Sequence, residues 1–401
     1  MEIEISSIGD VCEFSRGLTY KKADEAEYSS NAVLRANNIT LEAGKINFDD
    51  VKYISDKIEI PESKKVKKGS LLICTASGSK KHLGKIGLVD KDMDFAFGGF
   101  MGMLTPNEKI DSKYLYWLTQ SKAYSEFIGG LSDGANINNL KFSQLTNFPV
   151  PIVPIPEQKR IVELLDTVFA DLEQTRAKTE QNLKNARELF DSYLQQVFSQ
   201  KGEGWVDGKM TDICEINTKL IDPKEDEYLN LLHIGAGNIV SNTGELIKLQ
   251  TAKEEGLISG KFVFDSSMIL YSKIRPYLMK VCRPEFTGLC SADIYPLSPI
   301  KEMMDKDFLF YLLLSKDFTD YAISGSGRAG MPKVNRTHLF NYSVSIPPIE
   351  KQREFVIKIN QVANQSQDLE RIYKSKLVAI DELKKSILQK AFSGELNTTA
   401  N

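Results

Sequence analysis

PIPEQKRIVELLD, residues 154–166, and PPIEKQREFVIKIN, residues 347–360, are two versions of one joint, 193 residues apart. Proline lacks a backbone N–H and biases its predecessor to extended structure, so each run forbids an earlier helix start. Helix-forming sequence comes directly after each run. From Leu165 the apolar residues or their stand-ins are Val168, Leu172, Thr175, Thr179, Asn182, Ala186, Leu189 and Tyr193. After the second joint they are Phe355, Ile359, Val362, Ser366, Leu369, Tyr373, Lys376, Ile380, Leu383 and Ile387. The alternating steps of three and four are a heptad seam. A helix from Glu157 to Phe198 would run about 60 Å at 1.5 Å per residue. The polar seam positions suit a helix pair whose register and partner are specified at some cost in stability. We expect antiparallel pairing, with Leu165, Val168, Leu172 and Leu189 meeting Ile359, Val362, Leu369 and Leu383.

The rest of the chain is also written twice. IGDVCEF (8–14) returns as MTDICEI (210–216), YLYWLTQSKAYSEFI (114–128) as FLFYLLLSKDFTDYAI (308–323), and NFPVPIVPIPEQKR (147–160) as NYSVSIPPIEKQR (341–353). The offset is 202 at the start and 193 at the end, too long for a solenoid and right for one duplicated unit with loop insertions. Each copy begins with about 150 residues of mixed character. LLIC (71–74), KIGLV (85–89), KFVF (261–264) and MILYSKI (268–274) read as strands. A helix capped by Asp111 or Ser112 should end at Gly129-Gly130, and one capped by Asp305 or Asp307 at Gly325. The expected organisation is α+β: a globular domain over 1–153, a long helix over 154–200, a second domain over 201–346, a second long helix over 347–396, and a tail at 397–401. Two globular domains in pseudo-twofold repeat are joined by an antiparallel coiled coil.

Common catalytic signatures are missing. SGSKKHLGKIG (77–87) fails as a phosphate loop, since five residues rather than four separate Gly78 from Gly84, and Ile86 stands where a hydroxyl should bind Mg²⁺. His82, His233 and His338 show no ligand spacing, so no metal site is expected. HIGAGN (233–238) reads as a turn. No nucleophile elbow, HExxH motif or Asn-Pro-Pro-aromatic box is present. The opening MEIEISSIGD is acidic and does not read as a signal peptide, and there is no run of 18 apolar residues. Five cysteines without a CxxC pair suit reduced, inert thiols in a cytoplasm.

The chain carries a formal charge of −3, yet cations gather locally. Residues 57–91 hold nine lysines and three acids, with Lys64, Lys65, Lys67, Lys68, Lys80, Lys81 and Lys85 as candidate DNA contacts. In the second copy Lys273, Arg275 and Lys280 fall in a stretch, 261–283, of five cations and one acid. GSGRAGMPKVNR (325–336) adds Arg328, Lys333 and Arg336. Its counterpart GLSDGANINNLKF (130–142) is Asn-rich, with Asn136, Asn138 and Asn139 as candidates. Cations neutralise phosphates, while Arg reads guanine and Asn reads adenine through paired hydrogen bonds in the major groove. A matching frame carrying unlike loops suits two readers of different sequences. The competing reading is a protein-binding scaffold built on the long helices, without sequence-selective DNA binding.

IGDVCEFSRGLTY at the start, the NFPVPIVPIPEQKRIVELLD joint, its repeat and the closing SILQKAFSGEL (386–396) together resemble the specificity subunit of type I restriction-modification systems. The second joint departs slightly, with Lys351 set between Glu350 and Gln352. The resemblance implies two target-recognition domains, each reading half of a bipartite double-stranded DNA site. It implies paired helices that fix the spacer and dock two methylation subunits, which use S-adenosylmethionine on adenine. Motor-nuclease subunits using ATP and Mg²⁺ would join the full complex. The chain itself would carry no cofactor and no catalytic residue. Recognition domains in this family vary too much for base contacts to be transferred.

Overall fold

A computed structural model describes residues 4–40, 44–132, 139–327 and 332–397. The chain divides into two units. The first comprises residues up to Thr179 together with those from Ser375 onward, and the second spans Glu180–Lys374. The division falls inside both long helices, Ile155–Phe198 and Ile349–Ser393, so each unit holds a globular domain and half of each helix.

The first unit is built on Leu71–Cys74, whose four residues are all buried. The run is apolar throughout because both faces are covered. Leu71 and Ile73 point into a core with the helix Ser112–Thr119 and the long helices, and Leu72 into a second core with Leu34, Phe97 and Met103. This strand lies between Met101–Pro106 and Ile86–Leu88 in an antiparallel sheet completed by Cys12–Arg16. A second four-stranded sheet and the ribbon Glu4–Ser7 with Pro149–Ile152 complete the domain. Truncating Leu71 to Ala would cost about 2–5 kcal/mol.

The second unit repeats the plan. Ile269–Ser272 is fully buried between Ile294–Pro299 and Val281–Cys282, and alternate side chains again face two cores. Its second sheet has five strands, and its ribbon pairs Val206–Lys209 with Ser343–Ile346.

Both halves of the helix pair run antiparallel. In the first unit Arg176 meets Asp381 at 2.5 Å and Glu173 meets Lys384, while Ile161, Leu165 and Phe169 share a core with Ile387, Leu388 and Ala391. In the second, Arg187 meets Glu370 at 3.3 Å, and Phe190, Leu194 and Val197 share a core with Phe355, Val356 and Ile359. The buried Ser366 hydroxyl donates to the Ala186 carbonyl at 2.6 Å, the register-fixing use expected of a polar seam position.

Four residues of the expected seams are misplaced. Leu189 and Leu383 are 41% and 47% exposed, and Asn182 and Lys376 also face outward. A straight α-helix drifts about 20° per heptad from an exact 3.5-residue repeat. The buried line therefore moves one residue on, to Phe190 and Leu194 in one helix and to Leu388 and Ala391 in the other. Leu165 and Ile359 are fully buried, and Val168, Leu172, Val362 and Leu369 are half-buried.

The helix after Asp111 is also broken earlier than expected. Asp111 accepts from Lys113 N and Tyr114 N, but the helix stops at Thr119, and a second, Lys122–Ser132, runs through Gly129-Gly130. Ser121 accepts from Tyr124 N at 3.3 Å, and Ser315 in the repeat accepts from Phe318 N at 3.3 Å. The Ser-Lys pair in both copies is thus a restart signal, and the second copy's helix does end at Gly325.

All five cysteines are buried as free thiols, and burial raises the pKa of each, Cys12 to about 12. No described helix is long and apolar enough to cross a membrane, and no cluster of three or more metal-ligating side chains occurs among the described residues.

Candidate nucleic-acid interface

Each joint is held by one glutamine. Gln158 is fully buried; its Oε1 accepts from Asp111 N at 2.7 Å, and its Nε2 donates to Val153 O at 2.8 Å and Lys109 O at 3.0 Å. Gln352 accepts from Asp305 N at 2.8 Å and donates to Pro347 O at 2.9 Å and Met303 O at 2.8 Å. The first turn of each long helix is thereby tied to the N-cap of its own domain's helix. The glutamines are equivalent, so Lys351 is a substitution at the place of Glu157 rather than an insertion. The Glu–Arg pair one turn apart, Glu157–Arg160 at 2.7 Å, reappears one residue earlier as Glu350–Arg353 at 2.8 Å.

A second duplicated feature lies under the basic loops. Asn38 accepts from Arg35 N at 2.8 Å and donates to Asn47 O at 3.2 Å; Asn238 accepts from Gly235 N at 2.9 Å and donates to Ile247 O at 3.1 Å. A lysine reaches into each of these turns, Lys85 to Ile39 O at 2.6 Å and Lys280 to Ala236 O at 2.5 Å. Burial lowers the Lys85 pKa. Both lysines therefore serve the fold and are withdrawn from phosphates. RANNIT (35–40) against GAGNIV (235–240) carries this repeat in the sequence, and HIGAGN is the turn expected.

The loop after each buried central strand is tied to a second loop from far along the chain. In the first unit Ala76 bridges to Asn139, and Leu140 N donates to Thr75 O at 2.7 Å. In the second, Ile274 bridges to Lys333, and Val334 N donates to Lys273 O at 2.8 Å. This ladder gathers Asn139 with the loop bearing Lys80 and Lys81, and Lys273, Arg275 and Lys333 with one another. Asn136, Asn138 and Arg328 lie outside the described residues.

The two surfaces differ in charge. Lys333 contacts Asp293 at 3.1 Å, and Lys273, whose pKa is lowered mainly by burial, contacts it at 3.6 Å. Arg275 is exposed, has no ion pair among the described residues, and sits at φ +50°, a left-handed conformation uncommon outside glycine. It heads a loop that also exposes Tyr277. Arg336 lies 5.5 Å from the Phe340 ring. Lys81 and Asn139 are exposed in the first unit.

Much of the KKVKK run is already engaged within the fold. It precedes the buried strand Leu71–Cys74, while Lys80 and Lys81 come after it. Lys64 donates to Arg16 O at 2.7 Å, and Lys65 is held by Asp94 at 2.9 Å and Glu62 at 3.1 Å, which raise its pKa. Lys68 stands 4.0 Å from Asp92, leaving Lys67 exposed without an ion pair among the described residues. Asp92 and Asp94 lie just beyond the lysine-rich stretch 57–91, so the positive excess there is smaller than it looks.

Comparison with known proteins agrees with this duplicated frame. The family model described as the type I restriction modification DNA specificity domain matches twice, over residues 1–183 and 202–378. The EcoDI specificity subunit of Escherichia coli is 31% identical over 72% of this chain and 70% of its own length. The StySPI specificity subunit of Salmonella potsdam is 27% identical over 97% of this chain and 88% of its own. A chain solved in work on complex assembly and conformational transition of the type I R-M system has a TM-score of 0.75 at 18% identity, covering 97% of both chains. The HsdS subunit from Thermoanaerobacter tengcongensis has a TM-score of 0.67 at 19% identity, covering 98% of this chain and 97% of that one. With both repeats matched, this chain belongs to the specificity subunits of type I restriction-modification systems, the DNA-recognition components that leave catalysis to other subunits.

Proposed function

We propose that each unit reads one half of a bipartite DNA site through its bridged loop pair, with the helix pair setting the unread spacer. The observation that carries this is the ladder itself: Ala76–Asn139 and Ile274–Lys333 are the same backbone device bearing different side chains. Such a frame changes sequence preference without changing fold, because base edges are read by side chains while backbone geometry fixes their register. Two methylation subunits dock on the helices and bring S-adenosylmethionine to the adenines. Motor-nuclease subunits bring ATP and Mg²⁺, and the assembly works in the cytoplasm.

The test is to sequence methylated adenines made by the assembled complex. One bipartite motif is expected. Adding a heptad to both long helices lengthens each by about 10 Å, and the spacer should grow by about three base pairs at 3.4 Å each, with both half-sites unchanged. Altered half-sites with an unchanged spacer would refute the ruler. DNA retention without sequence preference, even with methylation partners present, would favour the scaffold reading instead.

A further inference from the structure

We propose that Phe100 reads a base in the first half-site, through apolar contact with the C5-methyl group of a thymine. The inference rests on the DNA-reading role above and names one of the residues that executes it.

Phe100 is 72% exposed, yet its backbone is pinned. Its carbonyl accepts from Thr75 N at 3.0 Å, Ala76 N at 3.2 Å and Thr75 Oγ1 at 3.0 Å. The turn before it is equally constrained: Gly98 N donates to Leu34 O, Met101 N donates back to Gly98 O, both at 2.8 Å, and a Cβ on Gly99 would stand 3.2 Å from Thr19 Oγ1. The ring is thus displayed on a stiff turn. It adjoins the strand position, Ala76, that bridges to Asn139.

The second unit shows that the fold does not need a ring there. Lys273 N donates to Asp293 O at 3.0 Å, as Thr75 N does to Phe100 O, which makes Asp293 the counterpart of Phe100. Asp293 is also solvent-facing, its side chain 44% exposed beside Lys333. One frame position therefore carries an outward apolar ring in one copy and a half-exposed carboxylate, paired with Lys273 and Lys333, in the other, both beside the bridged loops. A packing role would ask for burial. A reading role asks for rigid display and chemistry that differs between the copies. In the major groove thymine alone presents an apolar group, its methyl, and phenylalanine is among the side chains that meet it.

The experiment uses the complex with its methylation partners and a duplex carrying its own site. Each thymine of the first half-site is replaced in turn by deoxyuridine, which removes only the methyl. Wild type should weaken about 4-fold at one position, the value of one buried methyl-sized group. Phe100→Ala should bind thymine and uracil there equally while still rejecting changes at other positions, and Phe100→Leu should keep part of the preference. If no thymine of that half-site is methyl-sensitive, or if Phe100→Ala retains the sensitivity, the proposal is wrong. The deoxyuridine scan of wild type needs no variant, so a misfolded mutant cannot protect it. A complex that selects DNA but ignores the methyl defeats this proposal alone, whereas one that selects no sequence defeats the reading beneath it too.

Discussion

Exchanging the Gln158 side-chain amide for a carboxylate, Gln158→Glu, tests the joint with almost no change in shape. The glutamate can still accept from Asp111 N, but its other oxygen then faces the Val153 and Lys109 carbonyls, which Nε2 contacts at 2.8 and 3.0 Å. When protonated it can donate to only one of them, so the neutral variant loses one hydrogen bond, about 1 kcal/mol. When ionised it is an unpaired charge at a fully buried site, which costs about 3–5 kcal/mol. The difference of about 2–4 kcal/mol raises its folded-state pKa by about 1.5–3 units above the ordinary glutamate value near 4.3. A carboxyl raised in this way keeps its stability below the unfolded-state pKa and loses it as pH climbs through the folded-state pKa. The deficit against wild type should therefore be about 1 kcal/mol at pH 4 and about 3–5 kcal/mol at pH 7.5. Hydrogen exchange of the Ser112–Thr119 amides in the full chain, measured across that range, reports it. A deficit that does not change with pH, or one below about 1 kcal/mol at pH 7.5, would show that the carbonyls are not held by this side chain. Gln352→Glu should repeat the result in the second unit.

Three further outcomes are open to measurement. Arg275→Ala should weaken recognition of the second half-site by about 10- to 100-fold, the worth of a bidentate base contact, and leave the first intact when methylated motifs are sequenced. Glu302 is exposed at φ +69°, and Glu302→Gly should stabilise the second unit by about 1 kcal/mol in urea unfolding, because glycine removes the left-handed penalty. His233 is buried, and its Nε2 has no partner among the described residues; burial lowers its pKa below 6.5 despite Glu255 at 2.9 Å, and Lys261 lowers it further. Its contribution is present above pH 6.5 and lost as pH falls, so exchange in Leu232–Ile234 should accelerate below that value and become less pH-sensitive in His233→Asn.

The parts of the fold legible in the sequence are those that repeat. LLIC and MILYSKI stand out because a strand covered on both faces has no polar side to break the run. The proline joints stand out because proline permits little else. The seam is legible as far as its period is right: Leu165 and Ile359 are fully buried, but counting by heptads places Leu189 and Leu383 inside when both are exposed. The glutamines are visible as letters without a role, since their partners, Lys109 and Met303, are 49 residues away.

The interface is less legible because charge is summed along a sequence while neutralisation happens across the fold. Lys65 lies between Glu62 and Asp94, one on each side of it in sequence, and Lys273 and Lys333, 60 residues apart, share Asp293. Lys85 and Lys280 read as phosphate contacts in the sequence, but each donates to a backbone carbonyl at an asparagine-held turn. Of the candidates described, Lys67 is left exposed within the KKVKK run, while Lys81, Asn139 and Arg275 are exposed on the loops that the two bridges join, and no window of sequence contains both strands of either bridge. The same reasoning explains why Phe100 escapes notice: within FGGFMGML it reads as one more core residue, and only the hydrogen bonds from Thr75 and Ala76 reveal that the backbone is being used while the ring is left out. A residue whose main chain is fixed and whose side chain is unspent is what a reader of many different sequences requires. Its identity can change without disturbing the frame, as the aspartate at the equivalent position in the second copy shows.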